Sequence, residues 1–170
     1  MLKILIVEDE PLLASTLKHL IELNPRFRVT QIADDLASAL ASVDKQRPDL
    51  ALIDLQLARG STGFSVAVRL NDDGIPCLFT TGKAPPFPMP DLALGCLLKP
   101  YSEEDLVRAL RTAEDVLRGR TSIRPRLPEN LQLYGSGGGD EVPVPEGFLA
   151  VPTVMRPSIR TRLSSWWSAK

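Results

Sequence analysis

The sequence predicts an α/β domain with a parallel sheet, followed by a segment poor in core-forming residues. Three observations carry this. Over residues 1–120, apolar runs of strand length alternate five times with apolar stripes at helical spacing. The runs close on polar residues of different chemical kinds: Glu8 and Asp9, Asp54, Thr81, and Lys99. Beyond Arg120 the periodicity stops; residues 121–170 contain six prolines and the run Gly135-Ser136-Gly137-Gly138-Gly139.

The first strand is Lys3-Ile4-Leu5-Ile6-Val7, a continuous apolar run suited to a strand buried on both faces. Pro11 fits the first turn of a helix, whose stripe is Leu13, Leu17, Leu20 and Ile21, and Asn24-Pro25 stops it. Phe27 to Ile32 alternates weakly, as an edge strand does. Asp34 or Asp35 can cap a second helix with Leu36, Leu40 and Val43 on one face, broken at Arg47-Pro48-Asp49. Leu50-Ala51-Leu52-Ile53 is the third strand and delivers Asp54. After a loop over 55–61, Gly63 opens a third helix with Phe64, Ala67, Val68 and Leu70, ended by Asn71-Asp72-Asp73-Gly74. Ile75 to Thr80 forms the fourth strand and Leu94 to Leu98 the fifth. Ser102 and Asp105 have capping-box spacing and start the last helix, with Leu106, Leu110, Ala113 and Leu117 inward and Gly119 as its stop.

One unit breaks the alternation. Residues 83–91, Lys-Ala-Pro-Pro-Phe-Pro-Met-Pro-Asp, hold four prolines. Each proline lacks an N–H and restricts the residue before it, so this stretch is expected as an irregular loop with at most a short turn near 91–94.

The net charge of −1 gives no field that favours nucleic acid or an anionic membrane. Cys77 and Cys96 lie in strand-like runs and read as buried, reduced thiols. The single histidine, His19, falls on the outer face of its helix. No apolar stretch approaches the ~20 residues that span a bilayer, and Met1 leads straight into a strand rather than a signal sequence, so a cytoplasmic location is expected. The stretch after 120 is expected as an extended or disordered tail, dispensable to the fold. Near its end, Ile159, Leu163, Trp166 and Trp167 can share one helical face beside Arg156, Arg160 and Arg162. That pattern suits a docking element for a partner protein or for the domain's own face; membrane contact is less favoured.

In an open parallel sheet, ligands bind outside the carboxyl ends of the strands. Glu8, Asp9 and Asp54 would there crowd negative charge that a divalent cation relieves. Magnesium takes hard oxygen ligands and needs only one or two carboxylates, since it keeps waters. An aspartate beside it can attack phosphorus and form an acyl phosphate. Lys99 offers a point charge, and Thr81 a hydrogen bond, to the phosphoryl oxygens.

Glu8-Asp9, Asp54, Thr81 and Lys99-Pro100 resemble the conserved set of the receiver domain of two-component response regulators, over about residues 1–120. The resemblance implies a flavodoxin-like, doubly wound, five-stranded parallel sheet in the order 2-1-3-4-5. It implies that Asp54 is the phospho-acceptor and that Glu8, Asp9 and Asp54 hold Mg²⁺ together with the backbone carbonyl of Gln56. It also implies that Thr81 is the switch hydroxyl, that Lys99 contacts the phosphoryl group, and that a histidine kinase or phosphotransfer protein is the donor. Two departures stand out. Cys96 takes the place of the family's aromatic residue three positions before the lysine. The fourth helix is short or missing, replaced by the proline-rich loop. Phe79-Thr80-Thr81-Gly82, with Gly60 and Gly63, is partly similar to an alphaproteobacterial single-domain group with a Phe-Ala-Thr-Gly loop; Lys83 and Ala84 do not complete that signature.

Three functions compete. One is a phosphorylation-dependent switch, not itself an enzyme, that signals to an unidentified downstream protein. The second is an interaction module of the same fold that no longer depends on phosphorylation. The third is an aspartyl phosphatase, which Gln56 opposes because such enzymes need an acid two residues after the nucleophile.

Overall fold

The computed structural model describes residues 1–57, 60–120 and 127–134. Chain order is β1 (Leu2–Val7), α1 (Pro11–Glu22), β2 (Phe27–Ala33), α2 (Leu36–Lys45), β3 (Leu50–Asp54), α3 (Gly63–Asp72), β4 (Cys77–Thr81), β5 (Gly95–Leu98), α4 (Glu103–Leu117) and β6 (Leu131–Leu133). These make a flavodoxin-like α/β fold with one sheet, ordered β2-β1-β3-β4-β5-β6.

The first five strands are parallel. Their alternating side chains feed two cores, as the twofold repeat of a strand requires. Ile4, Ile6, Leu50 and Leu52 pack with Leu17 and Ile21 of α1 and Leu106 and Leu110 of α4. Leu5, Val7, Ala51 and Ile53 pack with Ala39 of α2 and Val66, Ala67 and Leu70 of α3. Pro11 stands in the first turn of α1. Capping boxes start the other helices: Asp35 with Ser38, Thr62 with Ser65, and Ser102 with Asp105.

Some details differ from the sequence reading. Val68, assigned to the inner stripe of α3, is exposed, and Val66 is buried in its place. The helix runs along the sheet with 66, 67 and 70 inward, one position round from the stripe drawn through Phe64 and Val68. On α2 the fully covered positions are Ala39 and Ser42; Leu36, Leu40 and Val43 only flank them.

No helix links β4 to β5. The connection is irregular apart from one turn in which the Ala93 N–H donates to the Met89 carbonyl at 3.1 Å. Met89, Leu92 and Ala93 nonetheless pack on the sheet face there, and the Asn71 side-chain amide of α3 donates to the Asp91 carbonyl.

The sheet has six strands, not five, and is not wholly parallel. β6 runs antiparallel to β5, with Leu97 opposite Leu131 and Gly95 opposite Leu133. The sequence places residues 127–134 in the tail, because Leu-Gln-Leu is too short to show a period. Their side chains are integral to the packing: Leu131 is buried against Leu97 and Leu110's cluster, and Tyr134 is 7% exposed on the opposite face. Gly95 makes this close pairing possible, since a Cβ there would lie 2.3 Å from the Gln132 carbonyl oxygen. Ile159, Leu163, Trp166 and Trp167 lie outside the described residues.

Candidate functional site

The carboxyl ends of β1, β3, β4 and β5 meet at one edge of the sheet. Glu8 follows β1, Asp54 ends β3, Thr81 ends β4 and Lys99 follows β5. Strand register makes this convergence unavoidable: Val7 pairs with Ile53, Asp54 with Thr80, and Thr81 with Leu98.

Lys99 ties two carboxylates together. Its Nζ lies 2.6 Å from Asp54 Oδ2 and 3.1 Å from Glu8 Oε2. Glu8 is 4% and Asp54 6% exposed. Burial pushes the Glu8 carboxyl above its ordinary range, and the opposing charge and hydrogen bond of Lys99 only partly offset this. For Lys99, burial favours the neutral amine, but the hydrogen bond and charge of Asp54, then those of Glu8, together raise it above its ordinary value. The lysine is therefore an ammonium at neutral pH, held by two oxygens that share its charge.

The other Asp54 oxygen, Oδ1, accepts from the Gln56 backbone N–H at 2.9 Å. Thr81 is buried, and its hydroxyl oxygen accepts from the Lys83 N–H at 3.3 Å, which leaves the hydroxyl proton available to an acceptor. The Thr81 carbonyl accepts from the Lys99 N–H at 2.8 Å. Lys99–Pro100 is a cis peptide. Asp9 is half-buried and makes polar interactions of its own.

Among the described residues no group of three His, Cys, Asp or Glu side chains closes around one point. Glu8 and Asp54 do converge, through their common lysine. Two buried carboxylates, one of them destabilised as an anion by its surroundings, fit an ion that needs few protein ligands and keeps waters.

Gly63 shapes the floor. As the first residue of α3 it packs so close that a Cβ would fall 2.2 Å from the Asp54 carbonyl oxygen and 2.7 Å from Leu55 Cα. Only glycine lets α3 begin directly beneath the aspartate.

The response regulator receiver domain family matches residues 4–111. The chain belongs to the receiver domain family of response regulators. Among curated relatives, a sensory transduction protein LytT from Bacillus anthracis is 33% identical over 117 residues, covering 65% of this chain and 46% of the relative. The DNA-binding response regulator MtrA of Mycolicibacterium smegmatis is 33% identical over 144 residues, covering 84% and 59%. A solved N-terminal domain of a response regulator/sensory box/GGDEF 3-domain protein from Carboxydothermus hydrogenoformans superposes with a TM-score of 0.60 at 27% identity, covering 69% of this chain and 97% of that one. The receiver thus spans about half the length of the two curated relatives it matches. Among the described residues no helix is long and apolar enough to cross a membrane.

In this receiver, Cys96 lies fully buried opposite Phe79. Burial chiefly, with a smaller contribution from the Asp54 charge, pushes its thiol up to about 11, and the Tyr134 side chain packs in the same cluster. The aromatic ring beside position 96 therefore comes from beyond β6 rather than from β5 itself. Nothing in the sequence pattern marked Tyr134; only the antiparallel register places it there.

Proposed function

We propose that this receiver takes a phosphoryl group on Asp54 and relays its state by protein contacts. The observation that carries the reading is the Asp54 carboxylate held between the Lys99 ammonium and the Gln56 N–H in a nearly closed acidic pocket. A carboxylate oxygen of Asp54 bonds to phosphorus as the bond to the donor's leaving group breaks, and the leaving group keeps the electron pair. Lys99 then turns its charge to the phosphoryl oxygens, and the Thr81 hydroxyl donates to one of them. Glu8 and Asp54, with Asp9 and the Gln56 carbonyl, would hold Mg²⁺, which when bound neutralises charge on the transferring group.

The donor is a histidine kinase or histidine phosphotransfer protein, and the site is cytoplasmic. No catalytic output follows from the described residues; the recipient of the signal is another protein. The DNA-binding label printed for the Mycolicibacterium relative describes that whole protein, of which this chain covers about three fifths. The loop Phe79–Gly82, with Gly60 and Gly63, supports placement near the single-domain group with a Phe-Ala-Thr-Gly loop.

Mass spectrometry after incubation with acetyl phosphate and Mg²⁺ tests this. One added phosphoryl group is expected on the native chain and none on Asp54→Asn. An unlabelled native chain favours the second reading, an interaction module free of phosphorylation, which Cys96 and the helix-free connection after β4 support.

A further inference from the structure

Lys99 stands one residue past the end of β5, where strands fray. Here its backbone is gripped from both sides. Toward the sheet centre, its N–H donates to the Thr81 carbonyl at 2.8 Å. Toward the edge, the residues flanking it are bound by Asn130, the residue that precedes β6. The Asn130 carbonyl accepts from the Leu98 N–H at 2.8 Å. Its side-chain nitrogen donates to the Leu98 carbonyl at 3.3 Å and to the Pro100 carbonyl at 3.4 Å.

The orientation of this amide is dictated by its surroundings. Both carbonyls can only accept, so the nitrogen must face them. The oxygen, Asn130 Oδ1, is left buried and without a partner. A side chain that leaves its own acceptor unpaired in order to bridge two carbonyls is not an ordinary strand residue. It ties Leu98 to Pro100 across Lys99, whose ammonium reaches Asp54 on a flexible four-carbon stem.

We propose that Asn130 is a positioning residue for Lys99, fixing the backbone on either side of it so that its ammonium meets a phosphoryl group on Asp54. This deepens, and rests on, the phospho-acceptor reading above. The coupling has a second side. If Asn130 favours the occupied pocket, occupancy must favour the Asn130 contacts and the strand they head, by the same factor. The acidic pocket and β6 are then linked through three hydrogen bonds.

The test uses the full chain with Mg²⁺ and beryllofluoride, a mimic of the phosphoryl group, followed by amide NMR. Binding is read at Gln56, whose N–H touches Asp54. Asn130→Ala is expected to weaken beryllofluoride by about fivefold or more, as small misplacements of a charge-stabilising group do. Mg²⁺, to which Lys99 supplies no ligand, should bind the variant no more weakly than the native chain, since an ammonium displaced from Glu8 and Asp54 repels the cation less. Asn130→Ser, too short to bridge both carbonyls, serves if the alanine variant fails to fold. In the native chain, exchange at the Leu98 and Tyr134 amides should slow by at least about threefold on binding. A native chain that does not bind beryllofluoride sinks the phospho-acceptor reading itself. Binding by the native chain with equal affinity in the variant, or with Mg²⁺ and beryllofluoride weakened alike, overturns the role of Asn130 alone. Unchanged exchange at both amides overturns the link to β6.

Discussion

The two connections that leave the centre of the sheet begin alike and are built in opposite ways. After β3, α3 begins against the Asp54 carbonyl, with Gly63 in contact with it and a Thr62–Ser65 capping box at its start. After β4, the chain leaves Thr81 into a proline-rich loop with no helix, and Phe87 is 64% exposed at its crest. The first connection fixes Asp54 by close packing of Gly63 on its carbonyl. The second leaves the hydroxyl on a segment held by a few contacts: the Lys83 N–H on Thr81, the Met89 turn and the Asn71–Asp91 bond. The sheet face that a helix would cover is filled by Met89, Leu92, Ala93 and Tyr134. A receiver pocket needs one rigid wall, and the other can be assembled from pieces distant in sequence.

Matched alanine substitutions give the largest contrast. Gly63→Ala is expected to cost about 3 kcal/mol, because the added carbon meets backbone that cannot move aside. Gly82→Ala, at the start of the open connection, meets nothing within 4 Å and should leave the thermal midpoint unchanged. Circular dichroism melts of the two variants would settle it, and equal losses would erase the distinction.

Truncation probes the assembled wall. Ending the chain after 120 removes β6 and Tyr134, whereas ending it after 134 keeps them. The buried Leu131 and Tyr134 side chains and the β5–β6 pairing stabilise the longer form, so the shorter form should melt at a lower temperature. The shorter form should also expose Cys96 to a thiol reagent that the longer form excludes. Equal midpoints and equal labelling would return residues 127–134 to the status of a tail.

Charge in the pocket can be changed without touching either connection. Burial destabilises the Glu8 anion, so the folded state binds its proton more tightly than the unfolded chain. Stability from this group is present at low pH and is lost as pH rises through the raised folded value. In metal-free buffer with a chelator, Glu8→Gln should therefore melt above the native chain at pH 7.5, and the gap should close below pH ~4.5. A native chain that melts above Glu8→Gln at pH 7.5 would show that the Lys99 contact outweighs burial.

The smallest effect belongs to Tyr134→Phe. The Tyr134 hydroxyl is enclosed and makes no hydrogen bond. Its loss should change stability by less than about 0.5 kcal/mol. Tyr134→Ala, by contrast, opens the face beside Cys96 and should resemble the truncation.

Most of the fold was legible because its signals are long. Four buried runs, one alternating edge strand, four helical stripes and two caps carry a period or a spacing that can be recognised, and the order of Glu8, Asp54, Thr81 and Lys99 followed from them. The proline-rich connection was legible for the opposite reason, since prolines forbid the helix outright. What was missed depends on contacts distant in sequence. β6 is three residues long and carries no period. Gly95 gains its meaning only from the Gln132 carbonyl it admits, and Asn130 only from the carbonyls on either side of Lys99. Val68 was assigned inward because a stripe alone does not fix how far a helix is rotated against its sheet.

The direction of β6 has a consequence for anything attached downstream. Because it is antiparallel to β5, the chain enters beside Lys99 at Asn130 and leaves beside Leu94 at Tyr134. Four residues at ~3.3 Å each carry it about 13 Å, from the mouth of the pocket to the far rim of the sheet. Whatever follows Tyr134 is thus tethered at the end remote from Asp54.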